Sequence, residues 1–247
     1  MPKHNARHQF KGGQNNLPHP TSSVPAVPFS MPYFQGWKVV YEDFCKGMIF
    51  ASDSNPYEIT VEGVTPTATV GVNGAVLTTT AADNDSALLQ WTTPTLLPGA
   101  STKKFYLETS AVVTAATMAS SEIFLGFTSD ESTTNFVGGT GVAWAFDDGI
   151  GFGKLDTATS LNFIARQSDV EQTLSLGATF ATTVRTTLGC YSDGASYYVY
   201  KDGILLAQTA IATYNNDAPM GIAAYIKTGT AEVQTLTINY IMLATEL

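Results

Sequence analysis

Beyond residue 19 the chain has no histidine: His4, His8 and His19 are its only three. The rest therefore lacks the commonest acid/base near neutral pH and the commonest metal ligand. Cysteine is almost absent as well. Cys45 and Cys190 are too few for the disulfide framework of a small secreted scaffold. Both lie in apolar or strand-like runs, which predicts buried free thiols ahead of a mutual disulfide. Without a nearby imidazole, neither is expected to serve as a nucleophile. Charge is scarce too: Asp, Glu, Lys and Arg make up 13% of the chain, about half the usual share. No run of about 18 apolar residues exists, so no membrane-spanning helix is expected. MPKHNARHQF is not followed by an apolar stretch of signal-peptide type, so folding in a cytosol is the expectation.

What charge there is divides unevenly. Residues 1–36 hold Lys3, Arg7 and Lys11 and no acid, and the remainder holds all 21 acids against nine bases. A body this acidic repels nucleic-acid phosphates and anionic lipid. Three bases in the arm are too few to reverse that, so neither nucleic acid nor membrane is an expected partner. Six of the eleven prolines (Pro2, Pro18, Pro20, Pro25, Pro28 and Pro32) fall in the same stretch. Proline removes a donor and biases its neighbour toward extended backbone. Residues 1–36 therefore read as an extended arm. Its second half, with Val24, Val27, Phe29, Met31, Tyr33 and Phe34 leading to Trp37, is too apolar for a free linker. Phe29, Tyr33, Phe34 and Trp37 are the candidate partner-binding anchors, because aromatic side chains dominate interface energetics.

Residues 37–247 read as one all-β domain. Short runs rich in β-branched and aromatic residues recur between turn clusters. They include YEITVEG (57–63), GAVLTTT (74–80), ALLQWTT (87–93), KKFYLETSAVV (103–113), SEIFLGFTS (121–129), GVAWAFDD (141–148), TSLNFIARQ (159–167), TTVRTTLGCYSDG (182–194), SYYVYKDGILLAQT (196–209), MGIAAYIKTG (220–229) and VQTLTINYIMLATEL (233–247). This density of strands predicts an antiparallel sandwich. The one rival helix lies within 111–121, and its Val-Val-Thr start disfavours it. Asp202-Gly203 supplies the positive φ of a tight hairpin, and Asp193-Gly194 and Asp148-Gly149 repeat the device. In YYVYKDGILLAQT both faces are apolar or aromatic, which predicts a segment between layers instead of a wet edge.

Candidate chemistry is sparse. Glu42-Asp43 and Asp130-Glu131 are adjacent pairs, which a strand points to opposite faces. Glu122 stands alone, and glycoside hydrolysis needs two facing carboxylates. It is read as a solvated or edge-blunting side chain. Asp83-Asn84-Asp85 and Asp147-Asp148-Gly149 offer oxygen ligands without the spacing of a calcium loop, so turn capping is preferred. His4 and His8 could share a metal only on a helix, which the arm does not form. Gly138–Gly141 lacks the lysine of a phosphate-binding loop. Trp91, Trp144, Tyr197, Tyr198 and Tyr200 could form a sugar platform, with packing in the core as the competing reading. No catalytic residue, metal or cofactor is expected, and the protein is not expected to be an enzyme.

Gly189-Cys190-Tyr191-Ser192-Asp193-Gly194 followed by Tyr197-Tyr198-Val199-Tyr200-Lys201-Asp202-Gly203 resembles the concanavalin A-like jelly-roll superfamily. Leu236–Ile241 resembles its last strand, which returns to pair near the first. The resemblance implies a jelly-roll β-sandwich over residues 37–247. Together with the Pro-rich arm and the Thr/Ala/Gly-rich, weakly charged body, the chain resembles head decoration (cement) proteins of tailed bacteriophages. That resemblance implies a structural virion protein on the capsid exterior, made in the host cytoplasm. It would bridge neighbouring capsomers of the major capsid protein, with the arm as clamp. A homo-oligomer is expected, a trimer first, since capsid lattices offer threefold sites. The alternative is a carbohydrate-binding, lectin-like module of a phage fibre or host-recognition protein.

Overall fold

In the computed structural model, residues 37–42, 44, 57–63, 65–71, 74–91, 104–129, 136–137, 143–158, 160–168, 170–177, 180–212 and 218–246 are described. The alternation of apolar and polar residues there produces strands almost throughout. In chain order these are β1 (Trp37–Glu42), β2 (Tyr57–Glu62), β3 (Thr67–Gly71), β4 (Gly74–Thr78), β5 (Ser86–Trp91), β6 (Phe105–Thr114), β7 (Ser121–Thr128) and β8 (Gly149–Lys154). They continue as β9 (Asn162–Gln167), β10 (Val170–Ser175), β11 (Arg185–Ser192), β12 (Ser196–Lys201), β13 (Ile204–Ala210), β14 (Gly221–Thr228) and β15 (Thr235–Glu246). The helix candidate within 111–121 is reduced to one 3-10 turn, Met118–Ser120.

Two antiparallel sheets stack. One has eight strands in the order β13-β12-β11-β6-β15-β4-β3, with β1 also on β15; the other is β10-β9-β8-β7-β14-β5-β2. The long β15 pairs β4 through Thr235–Ile238 and β1 through Ile241–Glu246, so the last strand does return to the first. A register shift between Ile238 and Tyr240 absorbs Asn239. The bulge keeps Leu236, Ile238, Ile241 and Leu243 all in the core.

The core lies between the sheets and follows the two-residue period. Ile123, Leu125 and Phe127 of β7 meet Leu107, Ala111 and Val113 of β6, Ile222, Ala224 and Ile226 of β14, and Tyr197 and Val199 of β12. Each fully buried aliphatic or aromatic side chain contributes roughly 1.5–3 kcal/mol. Cys190 belongs to this core as a free thiol. Cys45 lies outside the described residues. The β12–β13 hairpin turns on Asp202 (φ 50°) and Gly203 (φ 80°), the paired positive angles that a two-residue turn of this hand requires.

Three expectations are corrected. GVAWAFDD is not a strand: among its described residues only Trp144 makes a bridge, to Val137, and the strand begins at Gly149. Its alternation serves packing on a sheet instead of pairing in one. The segment read as lying between layers divides at its turn. β12 is covered, but β13 is an edge strand with Ile204, Leu205 and Leu206 exposed. The reason is position: β12 sits between β11 and β13, whereas no described residue pairs the far side of β13 within its sheet. Strands β1, β3, β8 and β10 were not among the sequence candidates.

Candidate functional site

The outer face of the seven-stranded sheet is filled by the chain itself. Residues 136–137 and 143–148 lie over it and place Phe136, Trp144 and Phe146 against Phe124 of β7, Ile164 of β9, and Ala223 and Tyr225 of β14. Phe124 is the hub, with ring centroids 5.2 Å from Phe136, 5.5 Å from Trp144 and 5.0 Å from Phe146. Phe136 stacks on Tyr225 at 5.1 Å. Aromatic pairs at these separations add about 0.5–1.5 kcal/mol each beyond area burial.

Strand β8, GIGFGK, makes the room. Ile150 and Phe152 point into the core, while Gly149, Gly151 and Gly153 leave a groove on the outer side. A Cβ there would lie 2.6 Å from Phe146 at Gly149, 2.7 Å from Phe124 at Gly151 and 2.5 Å from Trp144 at Gly153. The glycines are needed for close approach. At one end of this face the guanidinium of Arg166 sits 5.8 Å from the Phe146 ring and pairs with Glu171.

At the other end Glu122 and Lys227, direct partners across β7 and β14, form an ion pair at 3.8 Å. Glu122 is 2% exposed, so the reading of a solvated or edge-blunting residue is corrected: β7 is an interior strand. Burial pushes its carboxyl up to about 7, with Lys227 opposing. Lys154 is also buried, and its Nζ donates to the carbonyls of Ala119, Ser121 and Leu155. Burial lowers its pKa to about 8, against the pull of Asp156 and Glu122. The Glu122–Lys227 pair thus joins the start of β7 to β14, and Lys154 ties the end of β8 to the start of β7.

The outer face of the eight-stranded sheet is rich in tyrosine. Tyr198, Tyr191 and Tyr106 are successive lateral partners across β12, β11 and β6. Tyr200, Gly189 and Glu108 form the next row. Tyr106 and Tyr240 both donate hydrogen bonds to the Glu108 carboxylate. Burial raises the pKa of Glu108, and these two hydrogen bonds oppose the rise. Tyr106, Tyr191 and Tyr200 are buried, whereas Tyr198 is half-buried.

The sugar-platform candidates therefore separate. Trp144 is spent in the aromatic layer, and Tyr197 is in the inter-sheet core. Tyr200 is covered, and Trp91 packs against the core at the end of β5. Only Tyr198 joins an accessible polar group. Its ring stacks on Tyr191 at 6.0 Å, and its hydroxyl donates to Asp193 at 3.0 Å. Partial burial pushes the Asp193 carboxyl up. Hydrogen bonds from the Ala195 and Ser196 N–H groups and the Tyr198 hydroxyl outweigh it and hold the carboxyl below its usual range. Gln208, directly opposite Tyr198 on β13, is exposed, and Leu205 opposite Tyr200 is 38% exposed. A fixed ring edged by an amide, a carboxylate and an aliphatic side chain is the most developed accessible patch among the described residues. Sequence reasoning named Tyr198 but not Asp193 or Gln208, which join it only through strand pairing.

Asp148 caps backbone, accepting from Ser168 N–H at 2.9 Å, whereas the buried Asp85 carboxylate accepts from the Thr80 hydroxyl. Among the described residues no group of three or more His, Cys, Asp or Glu side chains could hold a metal ion. Phe29, Tyr33, Phe34, His4, His8, Asp130, Glu131 and Gly138–Gly141 lie outside the described residues. Trp37 opens β1.

No family model and no curated protein matches the sequence. Solved structures do match the fold. The carbohydrate recognition domain of Emp47p has 12% identity and a TM-score of 0.56, over 78% of this chain and 90% of that one. Peanut lectin has 12% identity and a TM-score of 0.54, over 85% and 97%. The catalytic domain of an endo-1,3-beta-glucanase (laminarinase) from Thermotoga petrophila RKU-1 has 15% identity and a TM-score of 0.54, over 85% and 98%. At such identities the likeness is one of fold: the chain is an antiparallel jelly-roll β-sandwich similar to those of these lectin-type domains.

Proposed function

We propose that the protein is a non-catalytic recognition module whose ligand is a carbohydrate, bound at the Tyr198 corner of the eight-stranded sheet. The carrying observation is the Tyr198 ring, held in place by Tyr191 and Asp193 and flanked by exposed Gln208. A sugar presents an apolar C–H face and a polar rim, which such a ring, amide and carboxylate complement. The fold shared with carbohydrate recognition domains supports the ligand class by analogy. The non-catalytic reading is supported by Glu122, whose buried carboxylate pairs with Lys227. A glycan array probed with the full chain tests the reading. Binding should be saccharide-specific and about tenfold weaker for Tyr198→Ala, the loss of one ~1.4 kcal/mol ring contact.

The second reading is decoration of a phage capsid by contact with its major capsid protein, as a trimer. It is favoured by β13, an edge strand without an ionisable side chain that exposes Ile204 (66%), Leu205 and Leu206. Exposed uncharged edge strands invite pairing with another chain. A density map of the parent particle tests it: this chain would coat the head, and its absence there removes the reading.

A further inference from the structure

One part of the eight-stranded sheet is covered although it faces away from the inter-sheet core. Tyr106 (1% exposed), Tyr191 (3%), Tyr200 (2%), Met242 (2%) and Glu108 (8%) all lie there, and none belongs to either hydrophobic cluster. The Tyr200 hydroxyl is buried without a hydrogen-bond partner among the described residues. Leaving a buried hydroxyl unpaired is costly, so a donor or acceptor from a covering segment is expected.

The chain delivers such a segment to this spot. β1 runs along β15 with Val39 opposite Ala244 and Trp37 opposite Glu246, and Ala244 is itself opposite Tyr106. The arm therefore joins the body two positions past the Tyr106 row, at the same end of the sheet. From β1 to β12 the face crosses β15, β6 and β11. Those four steps of about 4.8 Å make ~19 Å. Eight extended residues reach ~26 Å, so residues 29–36 suffice. The 43–56 link passes through Phe44 in the inter-sheet core to β2 of the opposite sheet. The 92–103 link also ends beside this row, at Lys104, but it starts from β5 of the opposite sheet and holds no aromatic residue. Prolines 25, 28 and 32 favour extended backbone while denying ladder pairing, which suits a strand-like segment laid across a sheet face.

We propose that residues 24–36 dock in extended form across the outer face of the chain's own eight-stranded sheet, with Phe29, Tyr33 and Phe34 over Tyr106, Tyr191 and Tyr200. This surface adjoins the Tyr198 corner through Tyr191, but its test does not depend on any glycan. It also assigns these aromatic residues to the body in place of a partner capsomer.

Hydroxyl-radical footprinting of the full chain, read by mass spectrometry, is the test. In the wild type Tyr191 and Tyr200 should be as protected as Tyr197 of the inter-sheet core. In the variant carrying Phe29→Asp, Tyr33→Asp and Phe34→Asp their modification should rise at least about tenfold, which corresponds to ~1.4 kcal/mol of docking, with Tyr197 unchanged. Three results overturn the proposal: modification already fast in the wild type, protection unchanged in the variant, or protection lost on dilution, which would assign the cover to another copy's arm. Should the variant also expose Tyr197, a photo-crosslinking residue at position 34 of the otherwise native chain decides. An intramolecular link to β6, β11 or β12 supports docking, and a link elsewhere overturns it.

Discussion

Replacing Gly153 by Ala tests the aromatic layer on the seven-stranded sheet. In an unobstructed strand, glycine to alanine stabilises by reducing the freedom of the unfolded chain, by roughly 0.5–1 kcal/mol. At Gly153 the new Cβ would stand 2.5 Å from Trp144 and 2.8 Å from Ile164. Ile164 can yield at its flexible terminus, but the indole is held on both sides, with Phe124 at 5.5 Å and Phe146 at 5.9 Å. Overpacking of this kind costs about 1–3 kcal/mol, enough to reverse the intrinsic gain. Gly153→Ala should therefore destabilise and lower the melting temperature by ~2–4 °C per kcal/mol in a chain of this length. Trp144→Ala should cost about 3–5 kcal/mol. In the double variant the alanine methyl no longer meets the indole, so the loss should be smaller than the sum by at least ~1 kcal/mol. Urea unfolding of all four proteins, with the slope checked for constancy, measures the cycle. Strict additivity, or a stabilising Gly153→Ala in the presence of Trp144, would refute packing of the indole into the glycine groove.

Two further outcomes follow from buried groups. Burial raises the Glu122 carboxyl from 4.5 to about 7. Between those values the folded state holds more protons than the unfolded one, so this group makes stability fall as pH rises. Glu122→Gln should flatten that decline between about pH 4.5 and 7 in denaturant titrations; an unchanged slope would count against the assignment. Cys190 is fully buried, and burial pushes its thiol well above the usual range. Peptide mapping after brief alkylation should find Cys190 unmodified in folded protein and modified in urea, and rapid labelling of the native protein would place it outside the core.

The sequence was most legible where turn chemistry and alternation agree. Asp202-Gly203 between two apolar runs specified the β12–β13 hairpin, and SEIFLGF and MGIAAYI specified two neighbouring interior strands. Legibility failed where one pattern serves two purposes. GVAWAFDD alternates like a strand, yet Trp144 and Phe146 cover a sheet. GIGFGK was not among the strand candidates because its glycines carry no side chains to mark a period, yet it is an interior strand whose groove receives those rings. β10, VEQTLS, lies at an edge with little buried, so no apolar period marks it. The Tyr198 patch was half legible: aromatic content flagged Tyr198, but Asp193 was a turn residue and Gln208 an ordinary strand residue until pairing set them beside it.

Mapping amide chemical shifts during titration with the tightest saccharide from an array tests the central claim most directly. The account predicts saturable shifts centred on Asp193, Tyr198 and Gln208, with Phe124, Trp144 and Phe146 unmoved. Shifts centred on the aromatic layer, or no saturable binding by any saccharide, would contradict it.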